Sequence, residues 1–410
     1  VFGGNLESYN GKEIFSVSIR GLVNGKMGYA SCESLDENII NETLDKLITA
    51  ANLLTSTEVE EIYGEKVDYE KVTNLESDAA NYSLAEKTEF LKSLEQKAFA
   101  ADERIKQVGY CQYVETEGEI SIINSKGINL SRKYSYQVVV LGVVALENGK
   151  TNVGFTHKIE SNFKAFDADK IVKESVEKAV SGLNADSVKS GSYPVILDQE
   201  VASDLFTAFA VVFSGYAAMK NMTMLIGKKG EKVFGDNVTL TDDPFCEASL
   251  IKVAFDDEAV PCKKRNVVEN GVFTGFYHSL KTARFFNEEP TGNGFRNGNQ
   301  LIPSPTNLYM QPGNYTKEQL YEGLDEAILI TDVAGLHAGL NVVAGTFNIQ
   351  SSGYMIRNGK KAEPITLFVV SGSFYEMLNN IEKIGNDLPE KINDVVIPSL
   401  LVKGLMISGK

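Results

Sequence analysis

The stretch QEVASDLFTAFAVVFSGYAAM, residues 199–219, carries apolar side chains on nearly every face of a helical period. A helix of this kind has no face suited to solvent, which is typical of a helix inside a protein core. It follows PVILD (194–198), a short apolar run typical of a buried strand. The pattern therefore predicts a strand that leads into one buried helix over 199–219 in the C-terminal half of the chain.

Length and charge limit the class of protein. The chain has 410 residues, 43% of them hydrophobic and 23% charged, as in a globular protein of two domains. Its net charge of −15 argues against nucleic acid, which binds cationic surfaces, and against anionic membranes. No apolar run approaches the ~20 residues that span a bilayer. The four cysteines lack close pairing or zinc spacing, so we expect a cytoplasmic protein with reduced thiols.

A polar stretch divides the chain. NADSVKSGSY (184–193) combines Gly, Ser and charged residues, as linkers do. It separates an N-terminal α/β domain, 1–185, from a C-terminal domain, 192–410, that is rich in predicted strands. We expect an α+β fold of two domains, each with extensive antiparallel or mixed sheet and a few flanking helices. Because the chain opens with Val1 rather than Met, we also expect that a native segment precedes it.

Turn and capping signals place the elements of both domains. Asn24-Gly25 predicts a type I′ hairpin, and an apolar period of 3.6 residues predicts a helix after it. Ser83 and Glu86 form a capping box before a second helix. Further signals predict meander turns at Glu117-Gly118, Lys126-Gly127 and Asn148-Gly149, a third helix that ends near Leu183, a hairpin at Asn270-Gly271, helices capped by Thr316 with Gln319 and Ser373 with Glu376, and one final strand over 394–409.

Three histidines are candidates for acid–base or metal chemistry. No two of them stand four residues apart, so the helical two-histidine zinc pattern is absent from the sequence. We expect His157 to be a solvated strand residue and His278 to be half-buried with a local hydrogen bond. His337 in GLHAGLN is either a base or peptide contact on a loop, or a turn residue between two glycines at positive φ. We take His337 and Asn341 as candidate contacts in a substrate groove.

Adjacent carboxylates form a second candidate site. AFDDEAVP (254–261) places Asp256, Asp257 and Glu258 before a predicted hairpin. Their oxygens either hold a cation or cap and solvate a turn. We take Asp256 and Glu258 as further groove candidates. The glycine-rich stretch TGNGFRNGNQ (291–300) is either a flap over a groove or a loop whose glycines permit its turns.

Four stretches, in their order and spacing, resemble the TldD/PmbA family, which is described as metallopeptidase-related and as modulators of DNA gyrase. The resemblance covers nearly the whole chain and is strongest from Pro194 onward. The stretches are GEKVFGDNVTLTDDP (230–244), AFDDEAVPCKKRNVVENGVFTGFYHSLKTARFF (254–286) followed by TGNG, GLHAGLNVVAGTFNIQSSGYMIRNGK (335–360), and GNDLPEKINDVVIPSLLVKGLMISG (385–409).

The resemblance also implies where a zinc site would lie. The TldD branch carries H-E-x-x-x-H on its central helix and a further cysteine ligand near the C-terminus. The corresponding positions of this chain hold Phe206, Thr207 and Val211, and no cysteine follows Gly385. Zinc hydrolysis needs three protein ligands and an open position for water, and these side chains supply none of them. The resemblance therefore implies the PmbA/TldE branch, with no metal in this chain and zinc only in a partner subunit.

We accordingly expect a metal-free subunit of a cytoplasmic TldD/TldE-like metallopeptidase complex that acts in peptide proteolysis and maturation, without catalysis by this chain alone. The expected partners are a TldD-like zinc subunit in a heterodimer, or a second copy in a homodimer, and an extended peptide held along a strand edge. Two alternatives stay open. One is a stand-alone hydrolase in which Asp256 and Glu258 hold a metal or His337 acts as base. The other is a non-enzymatic adaptor or modulator protein.

Overall fold

The computed structural model describes residues 1–55, 60–298 and 300–410. The fold is α+β, and its first part contains β1 (Val17–Val23), β2 (Lys26–Cys32) and α1 (Glu37–Leu53). The second part contains α2 (Leu84–Ala101), β3 (Ile105–Ile123), β4 (Asn129–Glu147), β5 (Lys150–Glu160) and α3 (Ala168–Ser181). The third part contains β6 (Gly191–Leu197), α4 (Gln199–Phe209), α5 (Gly215–Met219), β7 (Leu240–Asp242), β8 (Arg265–Glu269), β9 (Val272–Phe273), α6 (Leu280–Phe286), β10 (Gly294–Asn297), β11 (Gln300–Pro303), β12 (Leu308–Met310), α7 (Lys317–Tyr321), β13 (Glu326–Ala334), α8 (Leu336–Gly339), β14 (Leu340–Asn341), β15 (Thr346–Arg357), β16 (Lys360–Ser373), α9 (Phe374–Asn379), β17 (Ile381–Ile384), β18 (Val395–Val396) and β19 (Leu400–Ser408).

The first part is a hairpin with one helix against it. Asn24 and Gly25 both have positive φ, 51° and 77°, which confirms the predicted type I′ turn between β1 and β2. The Asp36 side chain caps α1 by accepting from the backbone N–H groups of Asn38 and Ile39. No helix in residues 1–55, 60–298 or 300–410 is both long and apolar enough to cross a membrane.

The second part is a three-stranded antiparallel sheet, β3–β4–β5, packed against α2 and α3. The predicted capping box of Ser83 with Glu86 is confirmed at the start of α2. The predicted turn at Glu117-Gly118 is wrong, because β3 continues through both residues and Gly118 pairs with Tyr134 of β4. A Cβ at Gly118 would lie 2.5 Å from the Tyr134 hydroxyl, so the glycine there makes room for a cross-strand ring.

In the third part, five strands close into a ring. β6 pairs with β13 and β19, β16 pairs with β19 and β15, and β15 pairs back with β13. Alternate residues of β6 face opposite sides, as the period of a strand requires. Val195 and Leu197 join the large core around α4, while Ile196 joins a smaller core with Leu320 of α7. Both faces of this sheet are therefore covered.

The stretch 199–219 is buried as predicted, but it is not one helix. α4 ends at Phe209, a short 3₁₀ turn follows, and Ser214 has extended backbone before α5 begins. Ser214 forms a parallel bridge with Tyr277, and the Gly215 N–H donates to the Tyr277 carbonyl at 2.8 Å. This pairing with a distant segment takes the backbone groups that a continuous helix would need.

The final segment, 394–409, is likewise two strands rather than the single strand predicted. β18 pairs with β12, whereas β19 belongs to the five-stranded ring. Pro398 lies between them and has no N–H to donate to a ladder. The next N–H, of Ser399, donates to the Asp387 side chain at 2.9 Å, which fixes the break.

The approach of β5 to α3 requires a glycine, and this gives a stability test. A Cβ at Gly154 would lie 1.9 Å from the Ser175 carbonyl oxygen and 2.5 Å from the Ala179 nitrogen, both backbone atoms of α3. We expect Gly154→Ala to lower the free energy of unfolding by about 2 kcal/mol or more, because α3 must move away from the sheet. Urea unfolding followed by circular dichroism measures the change.

Gly11→Ala is the matched control, since nothing lies within 4 Å of a Cβ at Gly11. Equal stability of the two variants would contradict the close packing of α3 on β5.

Candidate functional site

The position that the family resemblance gives to the first zinc histidine is part of the core. Phe206 is only 1% exposed, and its ring packs edge-on against that of Phe374 with 5.1 Å between the ring centres. One turn further, Phe209 stacks on the same Phe374 ring with 4.6 Å between the ring centres. Burial of these rings stabilises the fold through apolar area and ring–ring geometry. Phe206 therefore packs α4 onto α9 and presents no donor atom to an ion.

The two other positions differ in exposure but not in chemistry. Thr207 is exposed and Val211 half-buried. Zinc is bound by histidine nitrogen, cysteine sulfur and carboxylate oxygen, and neither threonine nor valine provides one of these groups. Neither side chain can act as a general base. Within the described residues, no group of three or more His, Cys, Asp or Glu side chains is arranged to hold a metal ion. The side chains at these positions do not fit a zinc ion.

The exposed face of α4 carries two carboxylates, Glu200 and Asp204, beside α3. The Glu200 carboxylate forms an ion pair with the ammonium group of Lys178 on α3, with 2.6 Å between Oε2 and Nζ. Partial loss of solvent, with repulsion from Glu200, raises the pKa of the exposed Asp204 on the next turn and of the exposed Asp332 on β13. His157 is exposed on β5, as predicted, and Lys178 also donates to the Phe155 carbonyl oxygen of that strand. This charged surface thus gathers charged or titratable side chains from four elements, α3, α4, β5 and β13.

His337 lies on a short loop beyond the end of β13. It is exposed on α8, and Gly335 before it has positive φ, 76°. Gly339 does not have positive φ; a Cβ there would instead lie 2.3 Å from the Asn348 carbonyl oxygen. Asn341 is also exposed, and its side-chain oxygen accepts from the Ala344 N–H at 3.0 Å. The structure brings His337 and Asn341 onto one exposed loop, and their role as groove contacts stays a prediction.

The acidic turn 256–258 is buried instead of lining a groove. Asp256 and Glu258 are 0% and 5% exposed. One oxygen of Asp256 accepts from the N–H groups of Glu258 and Val260, both at 2.9 Å, and the other accepts from Gly294 N–H at 2.7 Å. Burial raises the pKa of Asp256 well above its ordinary range. The predicted turn-capping role describes this geometry, whereas solvation of the turn does not occur.

Two arginines from distant parts of the chain meet this turn. The Arg20 guanidinium, on β1, lies 2.7 Å from Oε1 of Glu258, whose Oε2 accepts from the Leu280 N–H at 2.7 Å. Arg132, on β4, pairs with Asp257 and donates to the Phe255 carbonyl oxygen. Neither arginine is among the residues predicted from the sequence, because 238 and 125 residues separate them from their carboxylates. No short motif around either arginine indicates its partner.

The glycines of TGNG belong to the same turn. A Cβ at Gly292 would lie 2.3 Å from the Pro261 carbonyl oxygen, and one at Gly294 would lie 2.7 Å from Oε2 of Glu258. These glycines therefore let the chain cover the carboxylates, and the described residues of 291–300 include the ordered strand β10. Asp256 and Glu258 are brought together here, but in the described chain no hydrogen bond or ion pair joins them to His337 or Asn341.

His278 differs from the half-buried residue that was predicted. It is 1% exposed, and its Nδ1 lies 3.2 Å from the Thr282 hydroxyl, which is the expected local hydrogen bond. Burial lowers its pKa to about 4, so the ring is neutral near pH 7. A neutral, enclosed imidazole is a core residue here.

Comparison with known proteins supplies the family. Residues 1–52, 77–183 and 190–409 match models of PmbA/TldA metallopeptidase domain 1, the central domain and the C-terminal domain. The chain belongs to the PmbA/TldD family. A crystal structure from Thermotoga maritima, of a protein named as a candidate modulator of a DNA gyrase, is 29% identical, with a TM-score of 0.90 over 100% of this chain and 92% of that one.

Sequence identity alone does not separate the two branches of this family. A PmbA metalloprotease homologue of Haemophilus influenzae is 26% identical, over 93% of this chain and 83% of the relative. A TldD metalloprotease homologue of Buchnera aphidicola is also 26% identical, over 78% of this chain and 68% of the relative. The side chains at the zinc positions therefore carry more information about the branch than the overall similarity does.

The buried ion pair at the acidic turn gives a second stability test. We expect Glu258→Gln to lower the free energy of unfolding by about 3 kcal/mol, because it leaves the Arg20 charge without its closest partner in a buried place. Glu60, 3.9 Å from Arg20, compensates only in part. Urea unfolding of wild type and variant at pH 7 measures the loss.

Glu76→Gln provides the control at an exposed glutamate. If both substitutions changed the unfolding midpoint equally, the Arg20–Glu258 pair would not be integral to the fold.

Proposed function

We propose that this chain is the metal-free, PmbA/TldE-type subunit of a TldD/TldE-like metallopeptidase complex that acts in peptide proteolysis and maturation. The observation that carries the proposal is Phe206, buried against Phe374 where the resemblance gives zinc-bearing relatives a histidine. Thr207 and Val211 replace the other two groups. Peptide cleavage would then belong to a zinc-bearing partner, and this chain would complete the complex and contact substrate.

The charged surface beside α4 is the proposed substrate contact. β5 is an edge strand of the central sheet, and an edge strand offers backbone groups to which an extended peptide of almost any sequence can pair. Lys178 of α3 donates to the Phe155 carbonyl oxygen of this strand and pairs with Glu200 of α4, so β5 and α4 lie close together. The loop with His337 and Asn341 follows β13, and α4 packs against β13. We therefore propose these elements as the walls of one peptide groove.

The stand-alone hydrolase is the weaker candidate. Both oxygens of Asp256 and both of Glu258 already accept hydrogen bonds from backbone N–H groups or Arg20, which leaves no carboxylate open to a metal. His337 is exposed, with no carboxylate partner among the described hydrogen bonds and ion pairs that would orient it as a base. The adaptor role is favoured by the names of solved relatives as candidate modulators of a DNA gyrase, and by no contact described above. The cytoplasmic location stays a prediction, with which four free cysteines agree.

Reconstitution with the cognate TldD-like subunit tests the proposal. We expect the purified chain to bind no stoichiometric zinc, to cleave no unfolded peptide alone, and to form a stable complex with the zinc subunit that cleaves peptides faster than either part. Size-exclusion chromatography with light scattering, metal analysis and a peptide-release assay give the three readouts. Absence of a complex, with cleavage by the zinc subunit unchanged, would reject the proposal; a homodimer that cleaves alone would favour the hydrolase.

The groove is tested within the assembled complex. We expect His337→Ala and Asn341→Ala each to raise the KM for an extended peptide about threefold, as loss of one peptide contact would, while assembly is unchanged. Lys232→Ala is the control, because Lys232 is an exposed residue whose ion pair with Asp236 is local to another surface. Unchanged KM values in both loop variants would remove His337 and Asn341 from the groove.

A further inference from the structure

A cavity next to the acidic turn lies between the N-terminal hairpin and the C-terminal part. Its volume is about 280 Å³, near the lower end of the roughly 300–1,000 Å³ of small-molecule pockets. It is lined by Met27 and Tyr29 of β2, Tyr216 of α5 and Leu301 of β11, which form an apolar and aromatic wall, and by polar and charged residues around them. No candidate from the sequence lies in it.

The one carboxylate in the described lining, Glu60, is already hydrogen-bonded and ion-paired within the protein. Glu60 accepts from the Lys281 ammonium at 3.1 Å through Oε1 and from the Tyr29 hydroxyl at 3.0 Å through Oε2. The Arg20 guanidinium lies 3.9 Å from the same carboxylate. Glu60 therefore has a lysine of its own within ion-pair distance, and neither of the other two lysines of the described lining, Lys26 and Lys220, lies within that distance of it.

Two lysine ammonium groups remain at the cavity without a carboxylate. Lys26 Nζ donates to the Leu54 carbonyl oxygen at 2.5 Å, and Lys220 Nζ lies 5.9 Å from the centre of the Tyr216 ring. Among residues 1–55, 60–298 and 300–410, neither has an acidic side chain within ion-pair distance. A carbonyl oxygen and a ring orient an ammonium but do not cancel its charge. In a chain with 55 acidic and 40 basic residues, the described lining of this cavity holds three lysines and one carboxylate, so its net charge is positive.

We propose that this cavity binds a carboxylate, and that the carboxylate is the free C-terminus of a peptide. Lys26 and Lys220 supply the charge, acting as flexible point charges with several donors each. The aromatic wall accepts the side chain of the last residue, and the small volume limits the occupant to the end of a chain. The assignment to a peptide rests on the proposed function; the assignment to a carboxylate rests on the lysines alone.

Calorimetric titration with three short probes tests the site. The probes are N-acetyl-alanyl-alanyl-leucine as free acid, the same peptide as its amide, and an amidated peptide in which glutamate replaces the leucine. We expect only the free acid to bind well, about tenfold more tightly than either amide, and to weaken as salt is raised because the contact is ionic. Equal binding of acid and amide would overturn the carboxylate site, and tight binding of the glutamate amide would overturn the C-terminal assignment.

Variants of the two lysines complete the test. Lys220→Ala and Lys26→Gln should each weaken binding of the free acid by about threefold to tenfold. Lys361→Ala is the matched control, because Lys361 also lies over a tyrosine ring, Tyr354 at 3.5 Å, but outside the cavity. Equal losses in Lys220→Ala and Lys361→Ala would reject the site.

The site and the proposed function fail in different ways. Loss of free-acid binding in Lys220→Ala with normal assembly on the zinc subunit supports both. Free-acid binding without any complex supports the carboxylate site and rejects the subunit role. A complex that forms while the wild-type chain binds no free acid rejects the site and leaves the subunit role in place.

Discussion

The arrangement of this molecule depends on buried carboxylates that arginines from other parts of the chain neutralise. Arg20 of the N-terminal hairpin meets Glu258, and Arg132 of the central sheet meets Asp257, in one three-residue turn of the C-terminal part. Charges removed from water are tolerated only when they are paired and hydrogen-bonded, so each contact is conditional on the others. The turn therefore connects the three consecutive parts of the chain through directional bonds, beside a small apolar cluster.

The same region explains why an acidic sequence does not mark an active site here. Backbone N–H groups of the turn itself, of Gly294 and of Leu280 satisfy the oxygens that a cation or substrate would need. The glycines of TGNG allow their chain to approach closely enough to donate. Apolar contacts surround the turn, where Tyr63 and Leu280 pack with Val260. Because these carboxylates are buried and their oxygens already accept hydrogen bonds, they stabilise the fold.

In the C-terminal part, the helix that the family resemblance associates with zinc packs into the large hydrophobic core. Phe206 and Phe209 share the Phe374 ring, and the large core continues from them into the five-stranded ring. An aromatic core of this kind holds α4 in place without a metal. Its exposed face, with Glu200 and Asp204, remains available beside the central sheet. An architecture shared with the PmbA/TldD family, without zinc ligands at these three positions, is consistent with the proposed division of labour.

Local chemistry in the sequence determined much of the secondary structure. The Asn-Gly turn at 24–25, the capping box at Ser83 and the burial of 199–219 depend on neighbouring residues, so a pattern of short range predicts them. The absence of zinc ligands at Phe206, Thr207 and Val211 is also a property of the sequence, once the family resemblance is given. Tertiary structure alone decided that the helical stretch 199–219 breaks at Ser214 and which distant charges meet. The break at Ser214 exists because Tyr277 takes its backbone bonds, and Arg20 reaches Glu258 across 238 residues. Such contacts form only after the chain has folded, because their free energy depends on burial that no local pattern contains.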